Sequence, residues 1–155
     1  MELRKIDKIL VATDGSQESM DAAMYASELV RRMRLQVTLV HVAPSPAIPV
    51  AGTTQLTAAD EVQIERSVWE GAQVILDRTR KPFDQVGLQV EGVIRRGDPA
   101  QEILAMVREE GFDLIVISNH GVGRAGLANL GSTSDALVRF APCPVLVVRR
   151  GTTEE

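Results

Sequence analysis

The chain is short of cysteine, aromatic residues, histidine and positive charge, and each shortage excludes something. A single cysteine, Cys143, rules out an intramolecular disulfide and fits a reducing compartment. Aromatic residues make up 3% of the chain, so Val, Leu, Ile, Ala and Met must fill its interior. Two histidines, with no carboxylate at ligand spacing, argue against a metal site. A formal charge of -4 and a pI near 5.3 exclude a general nucleic-acid or membrane-surface binder. No apolar run approaches the roughly 18 residues of a membrane span. The N-terminal "MELRKIDKILVATDGS" is basic, but its apolar stretch is short and stops at Asp14, so it does not read as a signal peptide. The expectation is a cytoplasmic protein.

What is present is ordinary globular composition, 45% hydrophobic and 25% charged, over a length of 155 residues that suits one domain. That domain is expected over residues 1–150, with 151–155 as a flexible tail. Hydrophobic period switches repeatedly along it. "KILVAT" (8–13), "LQVTLVHVA" (35–43), "DLIVIS" (113–118) and "PVLVV" (144–148) read as strands. "LQVEGVIRRG" (88–97) alternates, as a strand with one wet face at a sheet edge does. Between these, helical stripes run from Ser16 to Met33 and from about Ala58 to Lys81, where Ile64, Val68, Ala72, Ile75 and Leu76 share a side. "DPAQEILAMVREEG" carries its own punctuation, with Asp98 as N-cap, Pro99 at the first helical position and Gly111 as the stop. A short helix is expected over 132–140. The Pro-rich stretch 44–57 reads as the longest loop.

Strands alternating with helices imply an α/β fold with a single doubly wound parallel five-stranded sheet, helices on both faces and right-handed crossovers. The first and fourth strands look most buried, and placing them side by side gives the strand order 3-2-1-4-5. Winding then reverses between strands 1 and 4, and ligands of open α/β sheets bind at such a crevice. "TDGS" (13–16) and the glycine loop 119–131 meet there.

The candidate chemistry follows from those two segments. Gly131 lets the backbone approach closely, and Ser132 and Thr133 place hydroxyls beside free amides at a helix start, an arrangement that attracts phosphate. The plainer alternative is an ordinary Ser/Thr N-cap. Asp14 either shapes the turn with Gly15 or accepts hydrogen bonds from a base or ribose hydroxyl. No Walker A lysine follows the loop, and "GVGRAG" lies after the wrong strand for dinucleotide binding. His41 reads as a satisfied structural imidazole, Arg124 as a solvated loop residue and Cys143 as packing. No combination of nucleophile, base and orienting group emerges. The apolar strand 144–148 falls on an open edge, so a homodimer through that strand is expected.

"KILVATDGS", "LVHV", "GDPAQEIL", "SNHG" with a later "GS", and "PCPVLVV" together resemble the universal stress protein family over essentially the whole chain. The resemblance implies the same fold, dimers through the fifth strand and, in one branch, ATP binding with slow or no hydrolysis. That branch's signature is Gly-x-x-Gly, nine residues, then Gly-Ser/Thr. Here Gly121, Gly131 and Ser132 match it, but Ser118 stands at the first glycine. By this matching Ala12, Thr13, Asp14 and Val42 would line adenine and ribose. His120, Gly121, Gly131, Ser132 and Thr133 would surround the phosphates, with Ser118 beside them. If the backbone at 118 requires positive φ, a serine there costs on the order of 1 kcal/mol. The implied ligand is ATP, with Mg²⁺ as companion and AMP or ADP as variants, in a stress-response module. The alternatives are a non-nucleotide protein-interaction module and a slow ATPase.

Overall fold

The computed structural model describes residues 5–45, 56–119 and 130–149. Residues 46–55 of the loop expected over 44–57, the loop residues 120–129 with His120 and Gly121, and the tail lie outside the described residues. Five strands and four helices alternate there: β1 (Lys8–Ala12), α1 (Gln17–Met33), β2 (Gln36–Ala43), α2 (Ala58–Gln85), β3 (Glu91–Arg96), α3 (Pro99–Glu110), β4 (Leu114–Ser118), α4 (Ser132–Phe140) and β5 (Val145–Val148). The sheet is parallel throughout, in the order β3-β2-β1-β4-β5. This is the architecture expected from the alternation of periods. The inner strands carry the burial that ordered them: Ile9 to Val11 and Ile115 to Val116 are fully buried.

Pleat alternation divides the interior into two cores. Ile9, Val11, Leu39 and Val116 face α1 and α2, where Ala23, Ala26, Val30, Leu76 and Phe83 meet them. Leu10, Ala12, Val40, Val42, Ile115 and Ile117 face the other way, toward Ile103, Met106, Val107 and Leu137 of α3 and α4. The buried alanines 22, 23 and 26 leave only a methyl between the α1 backbone and the sheet, so the helix seats closely.

The local punctuation holds. Ser16 caps α1 by accepting the Ser19 N–H, and Asp98 caps α3 by accepting the Gln101 N–H at 3.0 Å. Gly111 ends α3 with φ +69. Two boundaries differ from expectation. Helix α2 does not stop at Lys81 but runs through Pro82 to Gln85, because Phe83 is fully buried in the α1–α2 core and holds the last turn against the sheet. That burial outweighs the one backbone hydrogen bond the proline removes. The apolar stripe of α2 also reaches the core only from Ala72 onward, with Ile64 41% exposed. A helix of 28 residues rises about 42 Å, well beyond the span of the strands it packs on. Strand β3 is shorter than its alternating stretch, starting at Glu91 rather than Leu88.

Candidate functional site

The carboxyl ends of β1, β2 and β4 open into a cavity of about 220 Å³ on the α3–α4 side of the sheet. Its floor is apolar: Ala12, Val40, Val42 and Ile117 from the strands and Ile103 from α3. Its walls are Thr13 and Asp14 after β1, Pro99 at the start of α3, and Ser118, Gly131, Ser132, Thr133 and Ser134 between β4 and α4. The structure therefore brings Ala12, Thr13, Asp14, Val42, Ser118, Gly131, Ser132 and Thr133 together around one space. Val40, Pro99, Ile103, Ile117 and Ser134 join them without having been singled out. A usable signal existed for the strand members, since Val40, Val42 and Ile117 share the pleat face of Ala12 near the same sheet end.

The wall after β1 is a tight turn. Gly15 has φ +80, and a Cβ on it would come 2.9 Å from the Ile75 Cγ1 of α2, so only glycine fits. Asp14 plays the turn-shaping role: its Oδ1 accepts the Ser16 N–H at 3.0 Å while the residue lines the cavity. Thr13 offers the cavity no free polar group. Its N–H donates to the Val40 carbonyl, its own carbonyl meets His41 Nδ1 at 2.9 Å, and its hydroxyl lies 3.0 Å from both Ser19 Oγ and Thr79 Oγ1.

The opposite wall is the start of α4, and here the plainer N-cap reading fails. The cap is Gly131, which has no side chain to cap with, and Ser132 and Thr133 lie inside the helix. The Asp135 N–H is the first to bond within the helix, to the Gly131 carbonyl. Among the described residues no acceptor meets the N–H groups of residues 132–134. The helix start is held in place from behind instead. The Gly131 N–H donates to the Asn119 carbonyl at 2.9 Å, and the buried Ser134 hydroxyl donates to the Ser118 carbonyl at 2.8 Å. Asn119 Oδ1 is buried and has no hydrogen-bond partner among the described residues.

Ser118 does not carry the penalty considered for it. The one non-glycine residue with positive φ among those described is Arg34, so Ser118 keeps strand backbone. Ile117 faces the α3–α4 core, and alternation turns the Ser118 side chain toward the other face, while the residue still lines the cavity at the end of β4. The two residues outside the cavity fit their structural readings. His41 is 8% exposed and bonded to a carbonyl. Cys143 packs against the α3–α4 core, and burial, helped by the negative charge of Asp113, raises its thiol pKa.

An open α/β sheet with an unsealed helix start at its winding reversal defines a class: switch-point binding folds that can hold an anion beside an apolar floor. The model of the universal stress protein family matches residues 5–149, and the chain belongs to that family. It is 30% identical over 146 residues to the universal stress protein YxiE of Bacillus subtilis, covering 92% of this chain and 99% of that protein. The structure of the Methanocaldococcus jannaschii protein MJ0577 superposes with a TM-score of 0.77 at 26% identity, over 95% of this chain and 98% of that one. An Arabidopsis thaliana family member with AMP bound superposes with a TM-score of 0.67 at 22% identity, over 96% of this chain and 94% of that one. That last likeness shows the shared fold.

Proposed function

We propose that this chain is a cytoplasmic stress-response module that binds ATP, or AMP or ADP in its place, in the cavity between β1 and β4. The base would lie on the apolar floor of Val40, Val42, Ile103 and Ile117, with Asp14 toward the ribose. The phosphates would lie at the start of α4, where the amides of residues 132–134 and the positive end of the helix face them. One observation carries this reading: α4 alone among the four described helices lacks a side-chain cap, and its start lines the cavity. No cluster of three or more potential metal ligands occurs among the described residues, so Mg²⁺ would enter with the phosphates. Isothermal titration with ATP, ADP and AMP, with and without Mg²⁺, tests the proposal. Saturable heat below millimolar nucleotide is expected, and none at millimolar nucleotide overturns it.

The module is proposed to act as a homodimer through β5. The two sheet edges support this by contrast. At β3 the edge carries Glu91, Arg95 and Arg96, and Arg80 reaches over it to the Val90 carbonyl. At β5 the edge is Val-Leu-Val-Val, half-buried at every position, with no charge to deter pairing. Sedimentation as a monomer at micromolar concentration would refute the dimer.

A further inference from the structure

We infer that His41 and Thr79 are positioning residues for this cavity, holding its acidic wall through Thr13 although neither lines it. The inference rests on the nucleotide reading above but has a readout independent of it.

Thr13 stands between Ala12 and Asp14, which both line the cavity, and its polar groups are tied to three other elements. Its carbonyl meets His41 Nδ1 of β2 at 2.9 Å. A carbonyl only accepts, so the Nδ1–H of His41 is the donor. The Thr13 hydroxyl lies 3.0 Å from Ser19 Oγ of α1 and 3.0 Å from Thr79 Oγ1 of α2, and it accepts the Gly15 N–H at 3.3 Å.

The Thr79 hydroxyl joins this group from α2. The Ser19 hydroxyl can donate to the Ser16 carbonyl at 2.9 Å, and the Thr79 hydroxyl to the Ile75 carbonyl at 2.8 Å. Three hydroxyl protons serve these four contacts, so the count does not choose between Ser19 and Thr79; Thr79 is the neighbour that ties Thr13 to α2. Thr79 is fully buried, 66 positions along the chain from Thr13, so this join between α2 and the β1 turn is shielded from water. The same helix touches the turn a second time, where Ile75 packs against Gly15. Rotation of the Thr13 peptide would carry Asp14 with it. His41 and the hydroxyl group prevent that rotation from the face opposite the cavity.

The test uses pairs of variants that keep or remove the hydrogen bond. Thr79→Val removes the hydroxyl at nearly constant shape, and Thr79→Ser keeps it. His41→Phe removes the ring N–H, and His41→Asn retains an amide N–H near the place of Nδ1. Amide hydrogen exchange at Gly15 and Ser16 and ATP affinity are measured for each. The Val and Phe variants are expected to speed exchange at those amides about tenfold and to weaken ATP about three- to tenfold, while Ser and Asn restore both to within about twofold. In an Asp14→Asn background the effect of Thr79→Val on affinity should vanish, because the wall it positions no longer contributes. Unchanged exchange at the turn, an affinity loss that adds fully to that of Asp14→Asn, or equal damage from Thr79→Ser overturns the inference. If the wild-type chain binds no nucleotide, the proposed function falls and the exchange comparison alone decides the positioning claim. If His41→Phe does not fold, the Thr79 pair decides it.

Discussion

Helices α3 and α4 both start at the same cavity and differ at two positions, the cap and the residue after it. Their cap residues share extended backbone, φ -76 and ψ 125 at Asp98 against φ -62 and ψ 159 at Gly131. At α3 the cap is a carboxylate that takes the Gln101 N–H, and Pro99 has no N–H to present. At α4 the cap is a glycine, and Ser132 follows with its amide intact. One start is sealed and negative, and the other is open and positive. Neither difference lies in the backbone path. They lie in the residues at the cap and the first helical position, and they make the α4 side the one where the proposed anion would sit. A carboxylate cap stabilises a helix by only a few tenths of a kcal/mol over glycine, so α4 forgoes little by keeping its first amides uncapped.

Exchanging these features tests the comparison. The largest effect is expected for Gly131→Asp, which gives α4 the cap of α3. With φ -62 the backbone accepts any residue, so the helix should gain a few tenths of a kcal/mol and the melting temperature should rise by about 1 °C. Nucleotide affinity should fall about a hundredfold, because the carboxylate takes the amides and repels phosphate. Calorimetric titration beside thermal unfolding would show the two quantities moving in opposite directions. Ser132→Pro, which copies the other feature of α3, removes one donor at a position where proline suits a helix. Affinity is expected to drop about tenfold in the same titration, with little change in denaturant midpoint. The smallest functional effect belongs to Asp98→Ala. It should cost about 1 kcal/mol in urea unfolding yet leave nucleotide affinity within about twofold, because Pro99, the first-turn residue of α3 that lines the cavity, has no N–H.

Much of this was legible before any coordinates. Punctuation acts over a few residues, so Asp98, Pro99 and Gly111 marked α3, and Ser16 marked the start of α1. The strand order followed from burial, since only inner strands of a doubly wound sheet are apolar on both faces. Where reading failed, a distant contact had overridden a local rule. Pro82 should have ended α2, but Phe83 has a core to enter. Ser132 and Thr133 have the side chains of caps, yet the first backbone bond of α4 comes from Gly131, and so the cap fell one residue earlier. Ser118 was weighed as a possible strain, a concern that only its pleat face and backbone angle could remove.

Composition and periodicity, which depend on neighbouring residues, by themselves determined the class of fold, the strand order and the two segments flanking the crevice. Tertiary structure decided which of those residues line the cavity and where α4 begins. It also brought Pro99 and Ile103 to the floor and wall, and tied Thr13 to His41 and Thr79. The physical reason is range. Hydrogen bonds and packing between positions tens of residues apart depend on how whole elements settle against one another, and no short window of sequence contains that information.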